Sequence, residues 1–185
     1  MRNSRMNLLS LCFVLVCSMG TSFHSYADGM LDEIKARADK IKQYKALLNT
    51  PDQVTRLAAL DVMLKSDDIV MRNTAFTAAF NSDDEQIRAL ALKHRLSSID
   101  NLTFKVENKK SETTLVVGIT DFDLVSGKFG LKLSSRSEDA SVYGTAVKGG
   151  DDYKGAFDLR LIDGGKLTGT MQVKGERFPV TAELL

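Results

Sequence analysis

The 185-residue sequence predicts an α+β fold, in which a helical repeat of about four helices precedes a curved antiparallel β-meander of six to eight strands. Two patterns of apolar spacing, one in each half of the chain, support this prediction. Up to about residue 97, apolar residues recur every three or four positions, which is typical of amphipathic helices. From residue 102 they recur every second position, as in strands with one buried face. We therefore expect a helical region at 28–100 and an antiparallel β domain at 101–185.

The first 27 residues resemble a secretory signal peptide. Arg2 and Arg5 form a basic start, residues 8–19 form a short apolar run, and a small-x-small cleavage site ends at Ala27. The apolar run is too short to cross about 30 Å of hydrocarbon as a helix, which disfavours a membrane anchor. We therefore expect cleavage after Ala27, export to the periplasm or the exterior, and no stable membrane anchor afterwards.

Cleavage would change the composition that is available for chemistry. Residues 28–185 contain no cysteine, keep His94 as their one histidine, and have a net charge of 23 − 24 = −1. This composition excludes a thiol nucleophile and a multi-histidine metal site, and it lacks the positive field that binds nucleic acid. We predict no enzyme activity, no catalytic residue, no cofactor and no metal, with His94 in a packing or helix-surface role.

The helical region begins with an amphipathic segment and continues as a repeat. From Met30, the first segment has an apolar stripe at helical spacing, formed by Leu31, Ile34, Ala38, Ile41 and Leu48. Three ungapped 16-residue segments follow at 50–65, 66–81 and 82–97, and each predicts a helix of about 12–14 residues. We expect their opening hydroxyl residues, Thr50, Ser66 and Ser82, to be the N-caps.

Each repeat segment also carries an aspartate followed four residues later by an arginine, which places the pair on one helical face. Intrahelical pairing is therefore expected for Asp52 with Arg56, for Asp68 with Arg72 and for Asp84 with Arg88. An alanine and a large apolar residue follow at fixed distances.

This D-x-x-x-R-x-x-A-apolar pattern resembles HEAT-like and armadillo-like helical repeats over residues 50–97, about a quarter of the chain. Those families alternate two unlike helices over about 30–47 residues, whereas here every helix carries the same pattern. The resemblance implies a scaffold that binds another protein, with Arg56, Arg72 and Arg88 as candidate contacts. The alternative is a compact helical bundle in which the repeat is purely structural.

The β half alternates apolar and polar residues in six segments that are separated by glycine-rich turns. No interval has room for a crossover helix, so neighbouring strands should be antiparallel. Three glycines are predicted to lie within strands and to permit strong curvature: Gly144, Gly155 and Gly169. The concave face would be covered either by the helices or by a ligand, and its candidate lining is Phe157, Leu159, Met171 and Val173.

Two functions agree with these features. The first is an exported, non-catalytic protein-interaction module of the cell envelope, an adaptor or an inhibitor/immunity-type protein whose partner is another envelope or secreted protein. The alternative is a carrier of a small apolar ligand, which would use the curved sheet. The helical repeat favours the first function, and the apolar concave face favours the second.

Overall fold

The computed structural model describes residues 22–108, 111–133, 136–151 and 155–185. Residues 1–21, which include most of the predicted leader, lie outside this set. The chain divides into two compact units, with the boundary between Gln43 and Tyr44. The first helix, α1 (Ser22–Leu48), runs through this boundary and includes the predicted cleavage site at Ala27. None of the described helices has both the length and the apolar character that a membrane span requires.

The three repeat segments each form one helix, as predicted: α2 (Gln53–Leu64), α3 (Ile69–Phe80) and α4 (Glu85–Ser97). Each of these helices contacts the other two. The alanine that recurs in each repeat allows this close approach, because Ala59, Ala75 and Ala91 are all buried. The large side chains between them are also buried: Leu60, Met63, Phe76, Phe80, Leu92 and Leu96.

The helix starts differ from the prediction, because the N-caps are the aspartates Asp52, Asp68 and Asp84 rather than the hydroxyl residues. The hydroxyl oxygens of Ser66 and Ser82 instead accept hydrogen bonds from the backbone N–H groups of Asp68 and Asp84, at 3.2 and 3.1 Å. These bonds hold the turn that precedes each helix. The helices therefore begin after the second acidic residue of each repeat, where the carboxylate satisfies first-turn N–H groups.

Eight antiparallel strands follow in chain order and close into a barrel. The α+β prediction is confirmed, and the predicted curved meander is a closed sheet. Closure comes from pairing of the first and last strands through Phe104–Val106 and Val180–Ala182. The strands are β1 (Asn101–Asn108), β2 (Ser111–Thr120), β3 (Lys128–Leu133), β4 (Arg136–Tyr143), β5 (Ala146–Gly149), β6 (Ala156–Ile162), β7 (Lys166–Val173) and β8 (Glu176–Glu183).

Of the three glycines predicted within strands, Gly169 alone lies in one. Gly144 is in the β4–β5 turn and Gly155 precedes β6, both at positive φ. Gly169 lies opposite Leu159 of β6. A Cβ at this glycine would approach the Leu159 Cα to 2.8 Å, so the missing side chain permits close contact between the two strands.

The barrel has one end that contacts the helices, the helix end, and an opposite end, the far end. The helix end carries the α4–β1 link and the β2–β3, β4–β5 and β6–β7 connections, and the far end carries the other four connections. Three cationic side chains of α4 donate to main-chain carbonyls at the helix end. Arg88 Nη2 donates to Leu161 at 2.7 Å, Lys93 Nζ donates to Val125 at 3.1 Å, and Arg95 Nε donates to Leu184. These bonds join α4 to the barrel.

Candidate ligand-binding cavity

A cavity of about 210 Å³ lies inside the barrel toward its far end. Its described lining consists of apolar side chains, two glycines and one carboxylate. It is contributed by six of the eight strands and by the β5–β6 connection. The lining residues are Phe104, Leu115, Val117, Leu131, Glu138, Gly150, Gly155, Phe157, Met171 and Val173.

Two aromatic rings form the floor of this cavity. The ring centroids of Phe104 on β1 and Phe157 on β6 are 6.0 Å apart, with a tilt of 44° between the planes. Strand register explains why both rings point inward, because cross-strand partners share a face of the sheet. Phe104 pairs with Leu115 and Phe157 pairs with Met171, and both partners also line the cavity.

The residues predicted to line the concave face separate into two groups. Phe157, Met171 and Val173 lie together on the cavity wall. Leu159 is two residues further along β6 toward the helix end, has 0% exposure, and is not part of the cavity wall. It is fully buried in the barrel interior, where its cross-strand partners are Val147 and Gly169.

The predicted Asp–Arg pairing within one helix is wrong for Arg88. For Arg56 only a weaker effect is present, because the pKa of Asp52 is lowered mainly by hydrogen bonds from Thr55 and to a smaller extent by the charge of Arg56. Arg56 Nη2 instead lies 2.7 Å from Asp84 Oδ2, so the bond joins α2 to the cap of α4. The pKa of the Asp84 carboxyl is lowered mainly by this hydrogen bond. Arg88 Nη1 lies 3.2 Å from Asp163 Oδ1 in the β6–β7 turn.

The three repeat arginines are therefore engaged within the folded unit. Arg56 and Arg88 side chains are only 20% and 19% exposed. Arg56 Nη1 also donates to the carbonyls of Thr50 and Pro51, each at 2.8 Å. Arg72 Nη1 donates to the Ser66 carbonyl at 2.5 Å. Each arginine thus ties its helix to a preceding turn, a neighbouring helix or the barrel, rather than presenting its charge to solvent.

His94 lies between α2 and α4, where its Nε2 is 3.4 Å from Asp61 Oδ1. Lys65 Nζ lies 2.8 Å from Asp61 Oδ2, so the carboxylate is shared between the two groups. Burial lowers the pKa of His94 below 6.5, and nearby Lys65 adds to this effect, while Asp61 opposes it. The neutral imidazole is consequently the form that the folded state favours.

Acidification is expected to destabilise the protein through His94. Because its folded-state pKa is lowered, the unfolded chain binds more protons, and the free energy of unfolding falls between about pH 7 and about pH 5. Denaturant titrations of the wild type and His94→Gln at these two pH values measure the effect. The variant should lose less stability than the wild type over this interval, and equal losses in both proteins would contradict the assignment.

Glu138 is the cavity residue that sequence reasoning missed. On β4 it alternates with Ala140 and Val142, which are buried inside the barrel. Its cross-strand partner on β3 is Leu131, another cavity residue. The signal was the two-residue alternation extended backward from Val142 and Ala140, but the glutamate at the next position of this face interrupts the apolar pattern.

Within the described ranges, no three histidine, cysteine, aspartate or glutamate side chains converge closely enough to hold a metal ion. Comparisons of the chain with protein-family models, with curated proteins and with solved structures found no match.

Proposed function

We propose that the protein is a non-catalytic carrier that binds one small apolar molecule in the far-end cavity of its barrel. The observation that carries this proposal is the cavity itself, about 210 Å³ of space between apolar walls. Eight-stranded barrels have room for a packed core or for one small ligand. An apolar cavity of roughly 150 Å³ suffices to bind benzene, so a single ring or a short alkyl chain is the appropriate ligand size.

The expected affinity follows from apolar burial. Each buried methylene contributes about 0.8 kcal/mol, so an octyl chain gains at most about 6 kcal/mol. That energy corresponds to a Kd no tighter than roughly 40 micromolar before any polar contact is added. Such an affinity suits a carrier that must release its ligand.

The placement of the repeat arginines is why we prefer the carrier to the protein-interaction module. Arg56, Arg72 and Arg88 are the contacts that the helical repeat suggested for a protein partner. All three form hydrogen bonds within the folded unit. Substituting them would alter the fold and the surface together, whereas the cavity offers a site that is separate from these supporting contacts.

We also propose that the carrier acts outside the cytoplasm, on the basis of the leader-like residues 1–27. One experiment tests both proposals: native mass spectrometry of the full chain expressed with its own N-terminus and purified from envelope extract. The expected spectrum shows a chain that begins at Asp28 and that binds one molecule of added octanol, which organic solvent removes. An uncleaved chain would contradict export. A mass without adduct, together with failure to bind an apolar dye that octanol displaces, would contradict the carrier.

A further inference from the structure

We infer that the ligand carries an amine at one end of its apolar body and that Glu138 receives this amine. The inference rests on the proposed carrier function and specifies the chemistry of its ligand. Of the described residues that line the cavity, Glu138 alone has a charged side chain. A ligand that fills the apolar space therefore meets one acidic side chain among these described residues.

The position of Glu138 follows from the register of β3 and β4. Glu138 is paired with Leu131, and the next inward pair along these strands is Ala140 with Phe129. Both residues of the second pair are buried, whereas Glu138 is partly exposed. The carboxylate consequently lies nearer the far end than the buried layer, where a ligand's polar end can reach it while the apolar body rests on the Phe104–Phe157 floor.

The chemistry of a carboxylate beside an apolar space distinguishes between ligand classes. An ammonium group gains a charge-assisted hydrogen bond there, which is about twice as strong as a neutral one. A hydroxyl gains an ordinary hydrogen bond. A second carboxylate meets a like charge where water is partly excluded, so its charged form is disfavoured. The expected order of preference is amine, then alcohol, then carboxylate.

Glu138 already takes part in another interaction in the structure. This does not exclude a ligand amine, since an ionised carboxylate has about four lone-pair sites on its two oxygens. The ligand's donor can add to the existing interaction. We therefore assign Glu138 as a positioning group that orients the ligand with its polar end toward the far end of the barrel.

The test compares three probes of equal chain length, octylamine, octanol and octanoate, by calorimetric titration at neutral pH. The wild type is expected to bind octylamine about tenfold more tightly than octanoate, as one charge-assisted hydrogen bond would give, with octanol in between. In Glu138→Gln, the preference for octylamine over octanoate should disappear. The matched control is Asp139→Asn, which removes the same charge from the adjacent, outward-facing residue and should keep the preference.

Equal binding of octylamine and octanoate by the wild type would overturn the inference, whatever the variants do. A preference that persists in Glu138→Gln, or that is lost equally in Asp139→Asn, would also overturn it, because the discrimination would then come from general surface charge. Octanol binding distinguishes failure of the amine preference from failure of the carrier proposal. If the wild type binds none of the three probes, the carrier proposal itself fails.

Discussion

Replacing Leu159 by alanine is expected to lower the free energy of unfolding by roughly 2–5 kcal/mol, the range observed when a fully buried leucine is truncated. Leu159 has 0% exposure, and its cross-strand partners on β5 and β7 are Val147 and Gly169. Val147 is equally buried, and the glycine has no side chain that could move into the vacated space. The barrel interior therefore has little means of closing the cavity that this substitution would create.

The matched substitution is Val173→Ala, on the cavity wall and only half-buried. Its stability cost should be about 1 kcal/mol or less, because the side chain already borders empty space. Its effect should appear in ligand affinity instead. Urea denaturation and octanol titration of both variants measure the two quantities. Equal losses of stability in both variants would contradict the division between a packed interior and a ligand cavity.

Filling the cavity with a larger side chain should reduce octanol binding strongly. Leu115→Trp introduces an indole at a lining position of β2, directly opposite Phe104 of the floor. The indole would occupy space that the ligand needs, so the affinity should fall by at least about tenfold, or roughly 1.4 kcal/mol. Octanol titration by calorimetry measures the loss.

The control for this substitution is Val116→Trp, one residue further along the same strand. Val116 is 53% exposed and faces away from the barrel interior, so octanol binding should be unchanged. The chain contains no tryptophan, so fluorescence reports on each indole separately. Leu115→Trp should emit at shorter wavelength than Val116→Trp if it is buried in the cavity. A buried indole with unchanged octanol affinity would place the ligand elsewhere.

The sequence predicted the helices well but not their starts. Each repeat offers two residue types that commonly cap helices, a hydroxyl residue and, two positions later, an aspartate. Which of the two residues caps the helix depends on the backbone N–H groups that donate to the Ser66 and Ser82 hydroxyls. These are the N–H groups of Asp68 and Asp84. The choice of cap also depends on Asp84 binding Arg56 of another helix, a contact between residues 28 positions apart. The spacing of neighbouring residues in the sequence does not indicate such long-range contacts.

The apolar periodicity of the sequence also could not predict that the sheet closes into a barrel. Alternation correctly placed Phe157, Leu159, Met171 and Val173 on the inward face, although it missed Glu138, because a strand's side chains alternate between faces whatever its partners are. It could not show that Phe104 pairs with Ala182, near the opposite end of the domain. Alternation also does not show how far along the barrel axis an inward residue lies. Phe157 and Leu159 have the same pattern in the sequence, yet one forms the cavity floor and the other belongs to the packed interior.

The most direct test of the carrier account is a methyl NMR titration of the protein, labelled at its methionine methyl groups, with octanol. Met171 lines the cavity, whereas Met63 and Met71 are buried among the helices and serve as internal controls. The account predicts that the Met171 resonance, assigned with Met171→Leu, shifts in a saturable manner while the two controls stay in place. Shifts confined to Met63 or Met71, or no saturable shift at Met171, would contradict it.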